Sequence, residues 1–302
     1  MSIQTELTRL TNAKAAIQTA IERKGVTVPD GTLLDGMVAL IESIEAGGGG
    51  GGATEPYIEE VIDDDGNLIN ATLHGHTIRN YAFYNCSKLA STSLPSGLTS
   101  IGSYAFYNCS KLASTSLPSG LTSIGSYTFY SCSNLALTSL PSGLTSIKDQ
   151  AFYNCSNLAL TSLPSGLTSI GNNAFYRCLE LALTSLPSSL TSIGNGTFSG
   201  CTKLALVSLP SGITSIGYGA FNSCTKLALT RLPSGLTSIG SNAFYNCLGL
   251  DSLTFEGKPE SISKSAFKEC TNLTTINVPW APGAVANAPW GAINATINYN
   301  FK

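Results

Sequence analysis

Charge is scarce in this 302-residue chain. Only 11% of the residues are Asp, Glu, Lys or Arg and the formal net charge is −2, so there is no basic face to hold nucleic acid by releasing counterions. Histidine is scarcer still, with His74 and His76 the only two. A serine nucleophile needs a histidine base held by a carboxylate, and the repetitive middle of the chain contains no histidine at all. Paired carboxylates suited to glycoside hydrolysis are not evident there either. The glycine run from Gly47 to Gly52 lacks the Lys-Ser/Thr that completes a phosphate loop. These absences read as no enzyme, no cofactor and no nucleic-acid partner. No run reaches the roughly 18 apolar residues of a membrane span, which reads as no membrane insertion. The start, MSIQTELTRL, carries Glu6 and no apolar stretch, unlike a secretory signal.

Cysteine is missing everywhere except in one series. Cys86, Cys109, Cys132, Cys155, Cys178, Cys201, Cys224, Cys247 and Cys270 stand 23 residues apart, and a fixed period of this size marks a solenoid whose units bury their apolar faces only by stacking. An odd count, one per unit, fits neither paired bridges nor C-x-x-C zinc ligands. A small buried hydrophobe is the simpler reading, and no metal is expected. Columns from Phe83 to Phe267, Leu89 to Leu273 and Ile101 to Ile262 keep the same phase and form the expected core.

Within one unit, Leu135–Leu140 has strand-compatible residues and runs into Pro141-Ser142-Gly143, a turn signal. Stacking these strands predicts one parallel sheet, roughly 40 to 45 Å long at about 4.8 Å per strand. The register within the strand has two solutions. Either Thr92, Thr115, Thr138, Thr161, Thr184 and Thr230 face inward, or the neighbouring leucines Leu137, Leu160, Leu183, Leu206 and Leu229 do. Strand alternation with an inward Leu140 favours the threonines, leaving those leucines and Arg231 as an exposed candidate ligand-binding face.

The pattern AF-x-x-C-x-x-L followed by L-P-x-x-L-x-x-I, clearest from Ala151 to Ile170, resembles the bacterial surface-antigen (BspA-like) class of leucine-rich repeats. The resemblance implies a solenoid with its parallel sheet on the concave side, in a family of adhesins and other binding proteins. The chain departs from it where threonine occupies a position that is usually aliphatic, as Leu253 and Ile276 are here.

The two ends differ from the array. Ile3, Leu7, Leu10, Ile17 and Ile21 take alternating steps of four and three, with Lys14 at the position the pattern would make apolar, which predicts a coiled-coil-like helix. Thr32 with Asp35 resembles a capping box for a second helix. The block TRLTNAKAAIQTAIERKGVTVP with its glycine run, and the tail VPWAPGAVANAPWGAINATINYN, resemble parts of phage and prophage tail-fibre proteins. The expected organisation is an α-helical attachment and oligomerisation module over residues 1–46, a flexible linker over 47–55, an N-terminal cap over 56–81, nine solenoid units over 82–278 and a C-terminal cap over 279–302.

Other motifs have plain readings. Asp63, Asp64 and Asp65 lack EF-hand spacing and read as a solvated turn, and the His74/His76 pair reads as a surface turn. Tyr84, Tyr107, Tyr130, Tyr153, Tyr176 and Tyr245 form one incomplete column, and Tyr81, Tyr104, Tyr127 and Tyr218 another. Such rings either stack on sugars or simply pack amphipathically. Taken together, the sequence reads as a non-enzymatic virion fibre or decoration subunit. It would self-associate, or join other virion proteins, through its helices and bind a surface protein or glycan. The alternatives are a bacterial cell-surface adhesin and a purely structural decoration.

Overall fold

The computed structural model describes residues 57–63 and 67–301. The helices expected over residues 1–46, the attachment positions Ile3, Leu7, Leu10, Lys14, Ile17 and Ile21, the linker over 47–55, and Asp64 and Asp65 lie outside the described residues.

The chain winds into a solenoid of parallel strands, but the ladder runs through a different segment from the one the proline signal marks. Each coil contributes a Ser-Ile pair to it. Ser123 and Ile124 pair in parallel with Ser146 and Ile147, and these in turn with Ser169 and Ile170. One sheet extends from Thr77–Ile78 to Ser169–Ile170 and a second from Ser192–Ile193 to Ser261–Ile262. The break between them falls in the coil where Ser189 replaces the turn glycine. Its hydroxyl donates to the carbonyl of Leu167 in the coil before, at 2.6 Å.

The Leu135–Leu140 segment and its counterparts pair as strands only towards the ends of the array. Ser91–Ser93 pairs with Leu68–His74, and Arg231–Leu232, Ser252–Phe255, Thr275–Asn277 and Thr296–Asn298 form a separate parallel sheet. Between these ends the side chains decide otherwise. Leu137, Leu160, Leu183 and Leu206 are 0% exposed and Leu229 is 1% exposed, whereas Thr138, Thr161 and Thr184 face solvent. The expectation of an exposed leucine face with inward threonines is therefore corrected.

The reason is a competition of magnitudes. Burying a leucine contributes about 1.5–3 kcal/mol, while an inward threonine hydroxyl without a partner costs about 1–3 kcal/mol. Turning the leucine inward leaves Thr138 and Ser139 both outward. That breaks the two-residue alternation a strand needs and forfeits ladder bonds of about 0.5–1.5 kcal/mol each, which water partly replaces. In the first coil, where Ser91 stands in place of that leucine, the other register appears. Ser91 is exposed there, Thr92 pairs opposite buried Ala71, and the Thr92 hydroxyl is buried without a partner. At Leu253 and Phe255, apolar residues two apart restore alternation, and the strand with it.

The nine phenylalanines form the spine. Successive rings from Phe83 to Phe267 lie 5.0–5.6 Å apart and within 11° of parallel, all of them buried. At the C-terminal end the stack is closed edge-on by Phe255, 6.4 Å from Phe267 at 82°, backed by Trp280 and Trp290. Thr296–Asn298 pairs in parallel with Thr275–Asn277 and adds the last strand. At the other end, Tyr57–Ile62 folds antiparallel onto Leu68–His74.

The cysteines are buried from Cys109 to Cys270, with Cys86 half-buried, and they do more than fill space. The thiols from Cys109 onward donate to the carbonyl of the phenylalanine 26 residues earlier, as Cys132 Sγ does to Phe106 O at 2.9 Å. The same carbonyl also accepts from the amide of the cysteine in its own coil, Cys109 N to Phe106 O at 3.2 Å. Each thiol is thus a rung between coils.

Candidate binding surface

Two backbone positions in each of the first eight coils have positive φ. One immediately precedes the cysteine, as at Asn85, Asn108 and Asn154. The other is taken in turn by Tyr81, Tyr104, Tyr127, Gln150, Asn173, Gly196, Gly219 and Asn242, with φ between 53° and 63°. Glycine and asparagine adopt this conformation readily, whereas other residues pay roughly 1–2 kcal/mol. The fold is satisfied by Asn or Gly at this position, so tyrosine in the first three coils is not a requirement of the turn.

These tyrosines belong to a larger array. Tyr81, Tyr104 and Tyr127 stack with centroids 4.9 and 4.5 Å apart, nearly parallel. Beside them Tyr84, Tyr107, Tyr130, Tyr153 and Tyr176 stack at 4.5–4.9 Å. The two columns touch at tilted contacts of 5.8–5.9 Å. The first column ends where Gln150 donates its amide to the Tyr127 hydroxyl at 2.8 Å, and the second ends where Ser199 follows Tyr176. Partial burial, then the neighbouring phenols, push Tyr104, Tyr107 and Tyr153 above the ordinary tyrosine range. These hydroxyls therefore remain neutral donors well into the alkaline range.

Stacking bears on the two readings left open for these rings, faces that stack on sugars or simple amphipathic packing. Inside each column both faces of a ring are taken by its neighbours, so the array shows solvent its edges and hydroxyls. Faces are open only at the ends. Tyr81 and Tyr84, the first members, are 54% and 39% exposed. A cleft of about 520 Å³ adjoins Tyr81, lined by Thr77, Ile78, Arg79, Asn80 and Ser100 among others.

The other sequence candidates fall elsewhere. The five leucines are core, as described above. Arg231 is exposed on its short strand and lies 3.5 Å from Glu256. His76 does not sit idle in a turn, because its Nδ1 meets the carbonyl of Gly97 at 2.9 Å. Sequence reasoning recognised the Tyr84 column and the first three members of the Tyr81 column but not their geometry, and it wrongly added Tyr218, since the 23-residue phase falls on Gly219. The signal lay in the column Tyr81, Tyr104, Tyr127, Gln150, Asn173, Gly196, where Asn and Gly reveal a left-handed backbone.

The repeat seen in three dimensions matches the BspA type leucine-rich repeat region in six copies, over residues 76–205 and 191–283. The chain belongs to the BspA-type leucine-rich repeat family. Among solved structures, a leucine-rich repeat protein of Bacteroides ovatus is similar at a TM-score of 0.56 and 25% identity, over 83% of this chain and 77% of its own. The T. pallidum leucine-rich repeat protein gives 0.45 at 28% identity, over 56% of this chain and 87% of its own. A leucine-rich cell surface protein of Faecalibacterium prausnitzii gives 0.38 at 21%, over 77% and 97%. No curated protein sequence matches the chain. The BspA-type match points to no catalytic family.

Proposed function

We propose that this BspA-type protein is a non-catalytic, adhesin-like binding protein of a bacterial surface, and that it engages its ligand through the tyrosine array. The observation that carries this reading is the placement of eight tyrosines in the first five coils. They occupy columns that other coils fill with Ser199, Asn222, Lys268, Gly196 or Asn173 without changing the fold, and the one later tyrosine in these columns, Tyr245, stacks on no other ring among the described residues. Tyrosine supplies large, rigid contact area with a polar tip. Membership of a surface-antigen repeat family supports the same reading.

The virion reading rests on residues 1–46 and on the tail segment, and the family match favours a surface adhesin over it. In either setting residues 1–46 would supply self-association and so multiply weak contacts. A chain starting at Ala53 should then lose the oligomeric mass of the full chain.

The test of binding is adhesion of the full chain to epithelial cells and to immobilised mucin. Wild type is compared with a variant carrying Tyr107→Asn, Tyr130→Ser and Tyr153→Ser, which introduces residue types that later coils already use. Binding should fall at least tenfold while the thermal melt is retained. Equal binding would remove the tyrosine array from the function, and absence of binding by wild type would favour a purely structural role.

A further inference from the structure

Resting on that reading, we propose that Tyr81 and its adjoining cleft form an end-on subsite for the terminal ring of a neutral glycan. The remaining tyrosines would contact the rest of the ligand only by edges and hydroxyls. Three observations converge on this corner of the molecule.

The first is the ring itself. Tyr81 stacks on Tyr104 at 4.9 Å and 9° on one side, and its other face meets no aromatic ring among the described residues. With 54% exposure it is the open end of the first column. A pyranose has one face of C–H groups and a rim of hydroxyls, so it needs a flat apolar platform bordered by polar groups. A stacked column offers such a platform only at its end.

The second is the rim. The cleft beside Tyr81 holds about 520 Å³ and is lined by Thr77, Arg79, Asn80 and Ser100 together with the floor residues Ile78 and Ile101. That size lies within the range of small-molecule sites, which combine an apolar body with a few placed polar groups. Asn80 is exposed, and its Oδ1 accepts from the Ser103 amide at 2.7 Å. This bond fixes the carboxamide and leaves its NH₂ as a pre-oriented donor. Thr77 adds an exposed hydroxyl.

The third is rigidity. Tyr81 is held in a left-handed conformation (φ 63°), its amide donates to Ser103 O at 3.0 Å, and its carbonyl accepts from Tyr84 N at 3.1 Å. A platform already held in place loses little freedom on binding, which matters for weak ligands. The geometry also limits the number of sites. Interior rings have no free face, and of the two open first members Tyr81, not Tyr84, lines the cleft, so each chain should bind one terminal ring there.

The experiment is a saturation-transfer NMR and calorimetric titration of the full chain with the methyl glycosides of glucose, galactose, mannose and N-acetylglucosamine, and with short neutral oligosaccharides ending in them. At least one should bind saturably, with one site per chain. Tyr81→Asn, which installs the residue used in the same column at Asn173 and Asn242, should weaken binding at least tenfold with the melt unchanged. Tyr81→Phe should retain it, and Tyr245→Ala, outside the array, should leave it unaltered. Undiminished sugar binding by Tyr81→Asn would overturn the subsite. If no saccharide binds while cell adhesion remains sensitive to the Tyr107, Tyr130 and Tyr153 substitutions, the glycan inference fails and the adhesive reading stands. If adhesion is absent as well, both fail.

Discussion

The thiol of Cys155 donates to the carbonyl of Phe129 in the preceding coil, 2.9 Å away, and this contact recurs along the array. Burial pushes the thiols of Cys109, Cys132, Cys155, Cys178, Cys201, Cys224 and Cys247 far above the ordinary cysteine range. Proton linkage then has a definite sign. A group whose folded pKa is raised holds its proton in the folded state after the unfolded chain has lost it. Its contribution is complete below the unfolded value of about 8.5 and is lost above it, at about 1.4 kcal/mol per pH unit for each thiol. The urea midpoint should be flat from pH 6 to 8 and fall steeply from pH 8.5 to 10. A Cys155→Ala variant should show a shallower fall. A flat profile to pH 10 would contradict the buried ladder.

Thiol reactivity offers a second check. Cys86 is half-buried and the other eight cysteines are buried, and reactivity requires accessible thiolate. A thiol-reactive chromophore at pH 8 should titrate about one cysteine rapidly in the native protein, and all nine in urea. Rapid native titration of several would place the column elsewhere.

Leu183 and Thr184 are adjacent but differ in burial, the leucine 0% exposed and the threonine exposed. Leu183→Ala should cost about 2–5 kcal/mol, whereas Thr184→Ala should change stability by no more than about 0.5 kcal/mol. The reverse ranking in urea melts would restore the inward-threonine register.

Tyr104 and Phe106 also lie close in sequence and should respond differently. Tyr104→Asn loses two stacked contacts worth about 0.5–1.5 kcal/mol each but relieves a left-handed tyrosine worth about 1–2 kcal/mol. The net change should stay below about 2 kcal/mol. Phe106→Ala, in the buried spine, should cost about 3–5 kcal/mol.

The interruption at Ser189 should be visible in hydrogen exchange. Thr168 and Gly171 donate to Thr145 O and Ile147 O, each at 2.9 Å, while the ladder stops between Ile170 and Ile193. The amides of Thr191 and Gly194 should therefore exchange faster than those of Thr168 and Gly171. Equal protection would mean that the sheet runs through.

Much of this architecture was legible without coordinates. A 23-residue period fixes the solenoid because only stacked units can bury columns that recur in phase. The phenylalanine, leucine and isoleucine columns marked the core, and the isolated cysteines argued against bridges and metals. The strand was misplaced because proline and glycine mark the end of a segment without showing whether that segment pairs. The short Ser-Ile pairs, which do pair, carry little pattern of their own. Among the site candidates, the tyrosine columns could be read as columns, but not the direction their faces take.

The sequence alone determined the number of coils, their register along the chain and the burial of Phe, Cys and Ile, because these follow from periodicity and hydrophobicity repeated nine times. Only the tertiary structure decided between Leu183 and Thr184 for the interior. They are adjacent in sequence, the same pair recurs at Leu137-Thr138, Leu160-Thr161 and Leu229-Thr230, and the choice depends on apolar burial outweighing ladder bonds that water can replace. It likewise gave the thiols their carbonyl partners one coil away. It also left Tyr81 as the open end of its stack, since what a ring's face meets is set by the neighbouring coil.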